Sequence, residues 1–107
     1  MTTPHAGPGE TVAPAPPSAR EQRILALLNA TFKPAACLLV DESALHAGHA
    51  GAASGGGHFR LRLVSERFQG CSRVARHRLV YDCLDAMMQG EIHALALTAL
   101  TPSEAAA

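Results

Sequence analysis

The first recurring hydrophobic pattern in the chain has helical spacing. Ser18 can cap a helix, Glu21 completes a capping box with it, and Pro34 ends the segment. The pattern predicts an amphipathic helix over about 19–32. Its apolar residues fall on one helical face: Ile24, Leu25, Leu28 and Phe32.

Three shorter patterns indicate β-strands. The apolar run 37–40 is too short for a helix, and apolar and polar residues alternate over 58–64. Residues 92–100 form the third pattern, in which His93 is in phase with the apolar positions Leu95, Leu97 and Ala99. The first two strands are expected to pair as an antiparallel hairpin, whose connection, 44–57, contains His46 and His49.

A second helix is predicted over about 73–88, with Ser72 as its N-cap and Gly90 as its stop. Its expected buried positions are Val74, His77, Val80 or Tyr81, Leu84, and Met87 or Met88. A short helical turn can precede it at 66–69. The order helix, strand, strand, helix, strand fits an α+β domain with a three-stranded sheet and helices on one face.

The ends of the chain differ from its centre. Residues 1–17 hold five of the seven prolines and predict a disordered Pro/Ala-rich tail. The domain is expected over 18–102, followed by a short tail, 103–107. With 107 residues, the chain supports one domain with a small core.

Charge and cysteine content exclude several classes of protein. The formal net charge is zero, which argues against a general polyanion binder, although six of the nine basic residues lie between Arg60 and Arg78. Cys37, Cys71 and Cys83 have no CxxC spacing, so neither a disulfide framework nor a zinc finger is indicated. The sequence has no export signal and no membrane-spanning run, so a cytoplasmic setting is expected.

Several motifs in sequence order resemble the BolA family. They are DES at 41–43, HAGH at 46–49, HF at 58–59, VSERFQGCSRVARHRLVY at 64–81, and IHALALTALTP at 92–102. The resemblance as a whole covers about 18–102, nearly all of the predicted domain. A pattern of this length is far more specific than any one of its short motifs.

The resemblance implies a fold like that of a class II K-homology domain, αββααβ. It also implies a monothiol glutaredoxin as partner in a heterodimer, with a bridging [2Fe-2S] cluster. The glutaredoxin would supply a cysteine and glutathione a second thiol. On this chain the matching ligands are His93 and the loop residue His46, with His49 as the alternative to His46. The isolated protein is expected to hold no cofactor.

The residue types alone partly support a [2Fe-2S] cluster with both thiolate and imidazole ligands. Neutral imidazole is a suitable ligand for a [2Fe-2S] iron, although a lone strand histidine is more often packed or hydrogen-bonded than metal-bound. His58 is expected to hold the base of the loop, and His77 to make a structural hydrogen bond.

Arg73, Arg76 and Arg78 have three interpretations: contact with the glutaredoxin partner, contact with nucleic acid, or a solvated helix face. BolA-like proteins are also described as transcriptional regulators, so DNA binding through this helix is the alternative function. Base-stacking aromatics are nearly absent, and the helix-turn-helix region has no GXXG loop. No catalytic unit is recognisable, so the protein is not expected to be an enzyme. The sequence leaves open whether the free protein is a monomer or a weak homodimer.

Overall fold

The computed structural model describes residues 17–43 and 57–107. The elements in chain order are α1 (Ala19–Phe32), β1 (Ala36–Asp41), β2 (Gly57–Val64), a 3₁₀ turn (Glu66–Phe68), α2 (Arg73–Cys83), α3 (Asp85–Met88), β3 (Ile92–Leu100) and α4 (Pro102–Ala106). The predicted α+β fold is confirmed. The predicted N-terminal tail lies outside the described residues, apart from Pro17.

The three strands form one mixed sheet in the order β1-β2-β3. β1 pairs antiparallel with β2, and β2 pairs parallel with β3. Leu38, Arg62 and Thr98 are opposite one another in this register and form one row across the sheet. The first hairpin and the β2–α2–β3 connection therefore account for the whole sheet.

The core lies between the sheet and the helices on one of its faces. Ile24, Leu28 and Phe32 of α1 are buried there, as the helical pattern predicts. The alternation in β2 sends Phe59, Leu61 and Leu63 into the same cluster. From the other helices and β3, the cluster contains Val80, Leu84, Met87, Ile92 and Ala99.

The opposite face of the sheet, called the open face below, carries the alternate side chains of each strand. They are Leu38 and Val40 of β1, His58, Arg60 and Arg62 of β2, and Ala94, Ala96 and Thr98 of β3. Most of these are exposed. Because helices cover only one face of this sheet, the polar and aliphatic residues of the other face are left exposed to solvent.

The start of α1 follows from its sequence. Ser18 Oγ accepts a hydrogen bond from the backbone N–H of Glu21, and the Glu21 carboxylate accepts one from the N–H of Ser18. This is the predicted capping box. At the other end, Lys33 caps the helix with φ of +44° before Pro34.

The second predicted helix is shorter than expected. Instead of continuing from 73 to 88, it ends at Cys83, and α3 restarts at Asp85 after Leu84 leaves helical geometry. Leu84 is fully buried and its carbonyl accepts the N–H groups of Met87 and Met88. The break occurs at a core residue with no proline or glycine beside it, so tertiary packing, not propensity, determines where the helix ends.

Val74 was expected on the buried side of this helix but is 66% exposed. Arg76 occupies the inward position near the helix start instead, because its guanidinium reaches backbone carbonyls at both Cys71 and Ala99. Gly70 precedes this region with φ of +77°, a left-handed turn that suits glycine.

The expected C-terminal tail is helical over most of its length. Thr101 is the N-cap of α4 and Pro102 is the first residue of the helix. Glu104 completes a second capping box with Thr101. The sequence TPSE contains this signal, and the alanines that follow it favour a helix. Among the described helices, none has the length and hydropathy needed to cross a lipid bilayer.

Candidate functional site

His93 lies at the end of the sheet where β3 begins. Gly57 pairs with Ile92 while His58 pairs with Ala94, so His93 is the extra residue of a β-bulge. The bulge allows Ile92 and Leu95 both to face the core, although three residues apart they would face opposite sides of a regular strand. His93 is therefore exposed and out of phase with Leu95, contrary to the sequence prediction.

His58 is the nearest aromatic neighbour that the structure gives to His93. Their ring centroids are 5.1 Å apart, and the rings are tilted by 37°. From the sequence, His58 was predicted only to hold the base of the loop. The sequence could have indicated this contact. Each of the two strands has a histidine at its second residue, and parallel pairing of the strands places the two histidines side by side.

The backbone of His58 does hold the base of the loop. Its N–H donates to Ser43 Oγ at 3.0 Å, and its carbonyl accepts the N–H of Glu42 at 2.7 Å. Ser43 is in turn fixed by Asp41, whose carboxylate accepts the Ser43 N–H at 2.8 Å. The DES motif and the HF motif are thus joined by hydrogen bonds immediately beside His93.

His46 and His49 lie outside the described residues. The chain leaves the described structure at Ser43 and returns at Gly57, and both residues are at the His93 end of the sheet. Of the three predicted ligands, His93 alone lies within the described residues.

Glu91 precedes β3 and connects the start of that strand to helix α1. Its carboxylate accepts a hydrogen bond from Arg23 and lies 4.0 Å from Arg20 Nε. Its carbonyl accepts the N–H of Gly57 at 3.0 Å. Exposed ion pairs of this kind add little stability, but this one fixes the backbone two residues before His93.

A shallow hollow opens beside His93. Met88, Gln89, Gly90 and Ile92 line it together with His93. Within residues 17–43 and 57–107, no three His, Cys, Asp or Glu side chains converge as a metal site would require. The imidazole of His93 is a suitable ligand for the iron of a [2Fe-2S] cluster.

The three arginines of the predicted contact surface have different surroundings. Arg76 is only 13% exposed; its guanidinium donates to the carbonyls of Cys71 and Ala99 and to both Glu104 oxygens. Arg76 thus connects α2 to β3 and α4. The predicted surface for a partner or nucleic acid has Arg73 and Arg78 exposed, while Arg76 is engaged inside the domain.

The basic residues between Arg60 and Arg78 do not form a single face. Arg60 and Arg62 lie on the open face of the sheet, whereas Arg73 and Arg78 lie on α2. Arg60 is paired with Glu42 at 2.9 Å, an acidic residue outside that stretch of sequence. Arg76 and Glu104 make the same kind of long-range pair at 2.6 Å.

His77 lies on α2, half-buried, away from the two site histidines. Its ring meets Tyr81 edge-on at 6.4 Å between centroids, and Tyr81 donates a hydrogen bond to the carbonyl of Leu95. His77 was expected to make a structural hydrogen bond; among the described residues it instead has this ring contact, and Tyr81, one turn further along the helix, makes the hydrogen bond. His77 lines a hollow with Arg73, Arg76 and residues 97–100.

The three cysteines are free thiols and half-buried. Burial raises the pKa of Cys37 above its usual value, which lowers its thiolate fraction. Cys83 lies within 3.4 Å of the Leu27 carbonyl and 3.3 Å of Thr31 Oγ1. Cys37 and Cys83 both pack against the core.

Residues 28–104 match the family model described as BolA-like protein. The chain is 42% identical over 90 residues to SufE-like protein 1, chloroplastic/mitochondrial, of Arabidopsis thaliana, covering 79% of this chain and 24% of that protein. It is 38% identical over 88 residues to Protein BOLA1, chloroplastic, of the same plant, covering 79% and 55%. The chain thus spans about a quarter and about half the length of these relatives.

A solved structure shares the fold. The BolA domain of SufE1 from Arabidopsis thaliana superimposes with a TM-score of 0.74 and 42% identity, covering 83% of this chain and 99% of that one. The names of the two plant relatives place those proteins in chloroplasts or mitochondria. The expectation of a cytoplasmic setting is therefore wrong: it depended on a missing export signal, and these relatives point to organelles.

Proposed function

This chain belongs to the BolA-like family, and from that premise we propose that it binds a monothiol glutaredoxin and shares a bridging [2Fe-2S] cluster with it. In this proposal His93 supplies one ligand and His46 the other, with His49 as the alternative to His46. The role is non-enzymatic and serves the trafficking of iron–sulfur clusters or the regulation of iron status.

The observation that supports the proposal is the exposure of His93 at the same end of the sheet from which the histidine-bearing segment leaves. β1 and β2 meet there through the hydrogen bonds of Ser43 and Glu42 with His58. A ligand on a strand and a ligand on the adjoining segment can then approach one iron from two sides. The β-bulge serves this purpose because it turns His93 out of the core.

The chemistry of the donors fits a shared cluster. An imidazole binds iron only when neutral, and a neighbouring side chain commonly sets its orientation. The ring of His58, 5.1 Å from that of His93 between centroids, supports an orienting role for His58. Two thiolates on one iron and two imidazoles on the other would resemble a Rieske centre, whose potential is higher than that of an all-cysteine cluster.

The test mixes the full chain with a cluster-loaded monothiol glutaredoxin and records the visible circular dichroism. The wild-type chain is expected to produce a new spectrum at a one-to-one ratio, because the ligands of one iron change. His93→Ala is expected to abolish that change. His46→Ala and His49→Ala then identify the second ligand.

His77→Ala is the matched control, since His77 is a half-buried histidine on α2 away from His93. The proposal fails if His93→Ala gives the wild-type mixed spectrum. It also fails if His77→Ala and His93→Ala reduce the spectral change equally, because the loss would then reflect a general defect of the fold.

A further inference from the structure

The two edges of the sheet are not equivalent. On β3, the outward-facing carbonyls of Leu95 and Ala99 accept hydrogen bonds from Tyr81 and Arg76 of α2. Helix α2 therefore closes much of that edge. In the part of the chain that the structure describes, the outer edge of β1 has no equivalent donor.

The hydrogen bonds of β2 identify the outward groups of β1. The N–H and carbonyl of His58 face β1, as does the carbonyl of Val64, so the even-numbered residues of β2 face β1. In the antiparallel register their partners in β1 are also even-numbered. Cys37, Leu39 and Asp41 therefore direct their backbone N–H and carbonyl groups to the outside of the sheet.

The side chains beside this edge are aliphatic. Leu38 is 59% exposed and Val40 is 39% exposed, both on the open face. Exposed edge strands usually carry a lysine, a proline or a bulge that prevents pairing with another chain. The sequence ACLLVD of β1 has none of these, and its only charge is at the last residue.

We infer that the outer edge of β1 pairs with the same edge of a second copy of this chain. If the twofold axis passes through Leu39, all three outward-facing residues take part in the pairing. Leu39 then lies opposite Leu39 of the second copy, and Cys37 lies opposite Asp41 of the second copy. The pairs are antiparallel and exchange backbone hydrogen bonds. The two three-stranded sheets become one continuous six-stranded sheet.

The side chains favour this occupant over a charged partner strand. In the twofold register Leu38 lies directly across from the second copy's Val40, on the open face of both copies. Directly opposed side chains at such positions are in close contact and stabilise the pair. Asp41 lies across from Cys37 and not across from another Asp41, so pairing brings no like charges together.

The interface is small. A six-residue edge with two aliphatic residues buries less than the ~1,200 Å² of a standard stable interface. The dimer is therefore weak and depends on concentration. His93 is on the other edge strand, so the inference does not rest on the proposed role of His93.

The test is sedimentation velocity of the full chain, with reductant, from about 10 µM to about 1 mM, the range in which a weak dimer forms. The weight-average mass is expected to rise toward that of a dimer. Leu38→Lys places a charge in the interface and is expected to weaken the dimer about tenfold or more. Thr98→Lys is the matched control, because Thr98 lies in the same row of the open face, on the opposite edge strand.

Amide nuclear magnetic resonance shifts provide a second readout that does not depend on a variant. Shifts that change with concentration are expected at Cys37, Leu39 and Asp41. A chain that stays monomeric at about 1 mM overturns the inference, as does an equal effect of Leu38→Lys and Thr98→Lys. A monomer whose Leu39 amide is protected from exchange at every concentration also overturns it, since another segment of the same chain would then cover the edge.

Discussion

The imidazole rings of His58 and His93 are neighbours, 5.1 Å apart between centroids, although 35 residues separate them in the chain. The contact depends on the β-bulge at His93 and on the parallel pairing of β2 with β3. His58 is fixed from the other side by Ser43 and Glu42. The side chain of His58 is thus a direct neighbour of His93 and is not part of the hydrophobic core cluster.

The first prediction concerns this pair. His58→Ala is expected to weaken the mixed complex with cluster-loaded glutaredoxin about tenfold, the lower end of what loss of an orienting neighbour costs a metal ligand. The visible spectrum of the complex formed at saturation should keep its wild-type shape. The measurement is a titration followed by visible circular dichroism.

An unchanged titration would show that His58 does not orient His93. A spectrum like that of His93→Ala would mean that His58 is itself a ligand, and the assignment of His46 or His49 would then have to be withdrawn. The comparison with His77→Ala separates both outcomes from a loss of stability.

The second prediction concerns Gly57, which begins β2 beside this pair. A Cβ there would lie 2.5 Å from Phe59 Cε2 and 2.9 Å from Arg20 Nη1. Gly57→Ala should therefore lower the free energy of unfolding by about 1–3 kcal/mol, as overpacking of a tight site does. Urea denaturation measures the change.

Gly90→Ala is the matched control, because a Cβ at Gly90 meets no atom within 4 Å. It should change the free energy of unfolding by less than about 0.5 kcal/mol. Equal effects at the two positions would contradict the argument from the close approach of Phe59 and Arg20.

Most of the fold could be predicted because its signals are local. The capping box of Ser18 and Glu21, the helical spacing of Ile24, Leu28 and Phe32, and the alternation in β2 each specify one element. What could not be predicted depends on contacts distant in sequence. The helix break at Leu84 results from packing of that side chain in the core, and propensity at Leu84 gives no sign of it.

The candidate site was predictable to a lesser extent. The family motifs indicated His93, but its phase was wrong because one extra residue in β3 shifts the alternation, and no local signal marks that bulge. The arginines of α2 were equivalent in the sequence. Only the fold reveals that Arg76 reaches Ala99 and Glu104 while Arg73 and Arg78 remain exposed.

The third prediction follows from that difference. Arg76→Met should lower the melting temperature by several degrees, since the carbonyls of Cys71 and Ala99 and the carboxylate of Glu104 all lose their donor. Arg78→Met removes the same charge from an exposed position of the same helix and should leave the melting temperature unchanged. The measurement is thermal unfolding followed by far-ultraviolet circular dichroism; equal effects of the two variants would refute a tethering role for Arg76.

The fourth prediction concerns acid. The hydrogen bonds from Arg76 and from the backbone of Thr101 lower the pKa of Glu104 from 4.5 to about 2. An unfolded chain has the ordinary pKa at this residue, so between these two values it binds more protons than the folded chain, and lowering the pH favours unfolding. The contribution of Glu104 to stability is therefore complete above about pH 5 and is lost as the pH falls toward 2.

Glu104→Gln should consequently destabilise the protein at pH 6 and have a diminishing effect as the pH approaches 2.5, measured as the difference in urea midpoint from wild type. Glu66→Gln is the control, because the Glu66 side chain has no ion-pair partner among the residues that the structure describes. Its difference from wild type should be small at every pH. A Glu104→Gln difference that stays constant between pH 6 and 2.5 would mean that the Arg76 pair does not act through the charge of Glu104.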